Sequence, residues 1–316
     1  ISLDVTKLKA NASKHKALSY QHLKKIEEQL KAEVKALTAQ AEAADTAPVN
    51  DGMDIPAEIA RREERLVVMA IAKKKIEARA QERFEREQVE YQEKINRREG
   101  QRKTGKNPRG KEPVAPTPEP KDKDQVNLTD EESRIMPISG GGFEQCYNAQ
   151  ASVDTETMLV LATHVSQAAN DKKEIIPALK KIAELPEEWG AADHLLGDTG
   201  FFSAANVAAC EKAGITPLLA SKRDSHNISP VERFAPDTPA LDTDDPVEQM
   251  KHRLTTKAGR ALYGLRKQTV EPVFGIIKQA MGFRQFSMRG VEKAAGEWTL
   301  ASLAWNVERM NVLRAV

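Results

Sequence analysis

Leu23, Ile26, Leu30, Val34 and Leu37 recur at steps of three and four, which places them on one face of a helix. The pattern breaks at residues 45–56, where Asp54 is a good N-cap and Pro56 falls in the first turn of a new helix. There the stripe resumes through Ile59, Leu66, Met69, Ile76, Ala80 and Phe84, set among many Glu, Arg and Lys. Two amphipathic helices joined by a short loop predict an antiparallel hairpin over residues 21–99, its charges read as a solvated face. Residues 100–127 are rich in Pro, Lys, Gly and Glu and nearly devoid of apolar residues, the composition of a flexible linker.

From residue 128 the pattern turns globular. Cys146–Val153 and Met158–Val165 read as strands of a hairpin turning at Asp154–Thr157, with Ile175–Leu185 a helix. Next come a short strand His194–Gly197, a helix Ala204–Ala213 ending at Gly214, and a strand Ile215–Ala220. Residues 221–248 read as irregular, and the chain is helical again from Gln249, its last helix buried through Trp298 and Trp305. With Leu3–Val5 as the first strand, the order is three strands in hairpin succession followed by βαβ crossovers. That is a mixed five-stranded α/β sheet flanked by helices, interrupted by the hairpin after its first strand. Ligands bind such sheets at the carboxyl ends of the strands, and two acids lie there: Asp4 in the first strand and Asp198 just past His194–Gly197.

Composition changes this picture through charge. The 316 residues carry 48 Lys and Arg against 47 Asp and Glu, a net charge of +1 that offers no attraction to nucleic acid. The sum conceals a block. Gln249 to Lys293 holds ten Lys or Arg and two acids, Glu271 and Glu292, a local charge of +8. Residues 231–248 hold six acids and one base, Arg233. A basic helical stretch of this density is what a phosphate backbone requires, although a solvated face has the same composition. Cys146 and Cys210 are too few for a disulfide framework or a zinc site, no apolar run approaches a membrane span, and no Walker or Rossmann glycine pattern occurs.

Asp198 stands between glycines in Leu-Gly-Asp-Thr-Gly-Phe-Phe, where a metal or phosphate can come close to the backbone; an Asp capping the following helix reads equally well. This segment, Leu-Asp-Val-Thr-Lys-Leu-Lys-Ala-Asn-Ala-Ser at the start, Gly-Phe-Glu-Gln-Cys-Tyr-Asn-Ala-Gln-Ala-Ser-Val-Asp in the middle and Val-Glu-Pro-Val-Phe-Gly-Ile-Ile-Lys near the end together resemble bacterial insertion-sequence transposases of the DDE type. The resemblance spans nearly the whole chain apart from the helical insertion and linker. It implies an RNase H-like catalytic domain built from residues 1–20 and 128–316, with three catalytic, metal-binding carboxylates: Asp4, Asp198 and Glu271. The implied cofactor is Mg2+, which Mn2+ can replace, and the implied partners are double-stranded DNA and a second copy of the chain in the cytoplasm of a bacterium. Tyr263, Arg266 and Lys278 match the family's DNA-contacting positions. Four residues separate Arg266 from Glu271 where the pattern has three, so Arg266 or Lys267 can fill the arginine's place.

The expected chemistry is phosphodiester cleavage at element ends and transfer of the 3′ ends to target DNA. Two divalent ions roughly 3.5–4 Å apart would activate the attacking and stabilise the leaving oxygen. Two other readings stay open: a metal-dependent nuclease that cuts without joining, and a truncated remnant that binds DNA without transposing. The second arises because the chain opens at Ile1 in mid-strand, without the helical DNA-binding domain that usually precedes this point.

Overall fold

A computed structural model describes residues 1–44, 54–105, 107–108, 110–138, 140–222, 238–239 and 241–314. Much of the breaks expected at 45–56 and 221–248 lies outside these residues, with Glu232, Arg233 and Asp237 of the acidic stretch. The chain folds as two compact units, Ile1–Lys14 with Thr129–Val316, and His15–Leu128. In chain order the elements are β1 (Ser2–Lys9), β2 (Ala17–Ser19), α1 (Tyr20–Ala44), α2 (Ile55–Lys103), β3 (Gln125–Asn127), β4 (Arg134–Pro137), β5 (Phe143–Val153) and β6 (Val160–Ser166). After these come α3 (Ile175–Ala183), β7 (His194–Gly197), α4 (Ala204–Lys212), β8 (Thr216–Leu219), α5 (Pro246–Thr255), α6 (Lys257–Gln279) and α7 (Val291–Arg314).

The first unit is a mixed sheet between two layers of helices. β1 pairs antiparallel with β5 over its whole length, from Ser2 opposite Val153 to Lys9 opposite Cys146. The other edge of β5 is shared, β6 running antiparallel along Asn148–Val153 and β4 along Phe143–Cys146. Beyond β1 lie β7 and β8, both parallel. The sheet therefore has six strands rather than five. β4 escaped the pattern because it is four residues long, ends in a proline and buries only Met136, so it carries no alternation to read.

Alternation in β1 decides which way each residue faces. Leu8 lies opposite Tyr147, and both join the apolar cluster made with Val270, Val273 and Phe274 of α6 and Trp298 of α7. Leu3 and Val5 point to the other face, against Ile175, Leu195 and Phe201. Asp4, even-numbered like Leu8, consequently faces α6. The last helix is fastened to the sheet by its two indoles, Trp298 Nε1 donating to the Gln150 carbonyl at 2.7 Å and Trp305 Nε1 to that of Met158 at 2.9 Å.

In the second unit α1 and α2 run antiparallel: Tyr20 meets Glu77, Glu27 meets Lys73 and Glu33 meets Arg62, one number rising as the other falls. Asp54 caps α2 by accepting from the Ala57 amide, with Pro56 in the first turn. Tyr20, Leu23, Met69, Ala72, Ile76 and Val126 are its core. α2 continues four residues past the expected end at 99, because no proline interrupts it before Pro108. Residues 110–124 run against α2: Arg98 donates to the carbonyls of Gly110 and Lys111, Arg102 pairs with Glu112, and Arg83 with Asp124 at 2.9 Å. β2 and β3 close the unit as a two-stranded ribbon too short to leave a sequence pattern.

Candidate active site

α6 is capped by Thr256, whose hydroxyl accepts the Gly259 amide. It runs 23 residues through Pro272, which lacks an N–H and so leaves the carbonyl of Gln268 without its usual helical donor. Its inner face, Val270, Val273, Phe274 and Ile277, packs on the sheet, and this brings Arg266 over the middle of β1. One guanidinium nitrogen of Arg266, Nη1, donates to Asp4 Oδ2 at 3.1 Å, and the other, Nη2, donates to Glu271 Oε1 at 3.0 Å. A single side chain thus joins two of the three expected acids.

Asp4 is deeply placed. Burial is the main cause of a carboxyl pKa pushed up to about 6, with the charges of Asp198 and Glu271 adding to it; the Val5 amide and Arg266 act in the opposite direction. For Arg266 burial opposes the charge, and Asp4, Tyr263, Glu271 and Asp198 outweigh it, so its pKa is raised. All three expected acids are therefore felt at one guanidinium.

Asp198 follows β7 and does not cap α4. Ser203 is that cap, accepting from the Asn206 amide at 3.1 Å, whereas Asp198 Oδ1 accepts from the Gly200 amide at 2.8 Å. A Cβ on Gly200 would stand 3.0 Å from Asp198 Oδ1 and 3.1 Å from Asp171 Oδ2, so the glycine keeps room between two carboxylates. Asp171, at the approach to α3, was not singled out in the sequence. It is held by Asn148 Nδ2 at 3.0 Å, and its pKa is raised by burial and by the charge of Asp198, with Asn148 and Lys7 opposing. Nothing in Ala169-Asn170-Asp171-Lys172 marks it; only the sheet brings it beside Asp198. Gly200→Ala is expected to leave thermal stability within about 1 kcal/mol, since carboxylate ends can yield a few tenths of an ångström, yet to cut any metal-dependent activity roughly tenfold or more by displacing Asp198. A melting curve beside a rate measurement checks both halves.

Tyr263 lies one turn before Arg266, half-buried and close enough to influence its charge. Lys267 is exposed, one turn before Glu271. Lys278, in the last turn of α6, is half-buried beside Cys146 and Asp4, and burial lowers its pKa. Within the basic block Arg253 pairs with Glu211 at 3.6 Å, while Arg284 donates to the Lys278 carbonyl and Arg289 to that of Asn11, both of these remaining exposed.

Among the described residues no three His, Cys, Asp or Glu side chains stand close enough to grip one ion. The donor chemistry nevertheless suits a hard divalent cation: carboxylate oxygens only, one of the acids pushed towards neutrality mainly by burial, with a guanidinium supplying the positive charge between two of them. A family model, the transposase DDE domain, matches residues 114–307, well over half of the chain. The chain belongs to this family. Among curated proteins and among solved structures nothing matches. The matched stretch contains Asp171, Asp198, Arg266 and Glu271, and Asp4 lies outside it on the strand paired with β5. Membership makes DNA the substrate class of this transposase and divalent metal ions its general cofactor type. No helix among the described residues is long and apolar enough to cross a membrane.

Proposed function

We propose that the first unit is an RNase H-like catalytic domain, discontinuous around the helical insertion, and that Asp4, Asp198 and Glu271 are its catalytic carboxylates. The observation that carries this reading is their joint presence around Arg266: Asp4 and Asp198 from neighbouring parallel strands and Glu271 from the helix packed over them. Mg2+, or Mn2+ in its place, held by these three acids would neutralise the phosphate and activate the attacking water or 3′-hydroxyl.

The chain's own groups supply the rest. Water attacks phosphorus as the bond to the 3′ oxygen of the element end breaks, and that oxygen takes up a proton. The freed 3′-hydroxyl, losing its proton, then attacks a target phosphodiester and joins to its 5′-phosphate as the target's own bond from phosphorus to the 3′ oxygen breaks and that oxygen takes up a proton. Lys267, exposed on the α6 surface one turn before Glu271, offers a point charge to a flanking phosphate, and the more deeply set Arg266 beside it offers a guanidinium fork. Tyr263, one turn away, lines the same approach, and the half-buried Lys278 adds a charge in the last turn of the same helix. The second copy of the chain belongs to the same proposal: α7 turns Leu300, Leu303, Val307 and Met310 outward, an apolar stripe suited to burial against a like helix. Action in the bacterial cytoplasm follows from DNA as substrate.

The test is joining. With Mg2+ and labelled duplexes bearing the ends that flank its own coding sequence, strands joined to target DNA are expected. Cut ends alone would make the protein a nuclease, and binding without cutting an inactive remnant.

A further inference from the structure

We propose that Arg266 competes with divalent ions for Asp4 and Glu271 and exchanges partners, bridging the two acids or, where ions hold them, turning to the DNA backbone. The inference rests on the reading of Asp4, Asp198 and Glu271 as the metal carboxylates and adds a competitor for them.

The bridge spans elements far apart in sequence. Asp4 is on β1 and Glu271 on α6, and one guanidinium fork reaches both at 3.1 and 3.0 Å. The Arg266 side chain is 11% exposed and that of Asp4 15%, so the pair is shielded from water and weakly screened. Arg266 cannot shed its proton to make way for a metal ion. Ions entering between Asp4 and Glu271 would meet a fixed positive charge in the space they need.

Other features make the contact exchangeable. Nε of Arg266 is buried without a hydrogen-bond partner, so the present position leaves one of its donors unsatisfied. Glu271 is five residues on, off the three- and four-residue rows in which helical side chains naturally meet, and takes Arg266 although Lys267 stands one turn away. Its side chain is 49% exposed, so it can swing without opening the core. Once released, the guanidinium finds in a phosphate the same paired oxygens it held in the carboxylates. Metal and DNA binding would then be coupled through one side chain, each tightening the other.

Mn2+ binding to the free protein, followed by electron paramagnetic resonance with no DNA and no turnover, tests this. Arg266→Met removes the charge but keeps an apolar stem, and it is expected to bind Mn2+ about tenfold tighter than wild type, since one positive charge leaves the immediate neighbourhood of the ions. Arg266→Lys, which keeps the charge, should stay near wild type. Asp198→Asn should weaken binding. A methionine variant that binds Mn2+ no tighter, while Asp198→Asn still weakens it, overturns the exchange and leaves the metal site standing. Asp198→Asn that binds like wild type overturns the metal reading and the exchange with it. Should Arg266→Met fail to fold by circular dichroism, Arg266→Gln, which keeps two N–H donors for the same acids, carries the same expectation.

Discussion

Asp198→Ala is expected to lower the rate of DNA cutting by at least about a thousandfold, the scale on which loss of a metal-holding carboxylate removes transition-state stabilisation. The fold gives little reason for any other consequence. Asp198 is not the cap of α4, a role filled by Ser203, and its carboxylate accepts from the Gly200 amide in an open turn. Losing that bond costs about 1 kcal/mol. Removing the charge also relieves Asp4 and Asp171, both of which Asp198 pushes towards their neutral forms. Duplex binding measured by anisotropy in Ca2+ should be nearly unchanged, because its affinity comes from Lys and Arg. A variant that cuts within tenfold of wild type would remove Asp198 from the chemistry.

Gly259→Ala is expected to destabilise the protein by about 3 kcal/mol or more, the range of substitutions that force a backbone to move. A Cβ there would lie 1.9 Å from the carbonyl oxygen of Arg253. That oxygen is already fixed at the corner between α5 and α6, accepting from the Thr256 amide at 3.1 Å and from the Thr256 hydroxyl at 2.8 Å. The corner sets the entry of α6 and with it the position of Arg266 and Glu271, so residual folded protein should also lose activity. Gly264 and Gly275, in the same helix, have nothing within 4 Å of a Cβ. Alanine at either should be neutral or stabilise by up to about 1 kcal/mol. Urea unfolding of the three variants separates the corner from ordinary helix propensity, and equal effects at all three would refute it.

The strands and helices that position the site were legible because their periodicity is local. β7 occupies the residues expected of it, and β5 and β6 turn at Asp154, whose carboxylate accepts the Thr157 amide. β4 was invisible because it buries one side chain of four and ends in a proline, whereas the equally short β7 shows as an apolar run closed by a glycine. The acid in Leu-Gly-Asp-Thr-Gly stood out through its glycines, whereas Asp171 has no such frame and gains its place only through Asn148 on a strand 23 residues earlier. Spacing left Arg266 and Lys267 interchangeable; the sheet distinguishes them, since the inward side chain reaches β1 and the other points to solvent. Charge along a chain does not reveal that Arg253 pairs with Glu211 or that Arg284 and Arg289 each donate to a backbone carbonyl, contacts that only the fold creates.

Crystals soaked in MnCl2 give the most direct test of a metal site built by Asp4, Asp198 and Glu271. The expected result is anomalous density in contact with all three carboxylates, with Arg266 withdrawn from Asp4 and Glu271. Manganese bound elsewhere, while the Arg266 bridge stays closed over unligated acids, would contradict it.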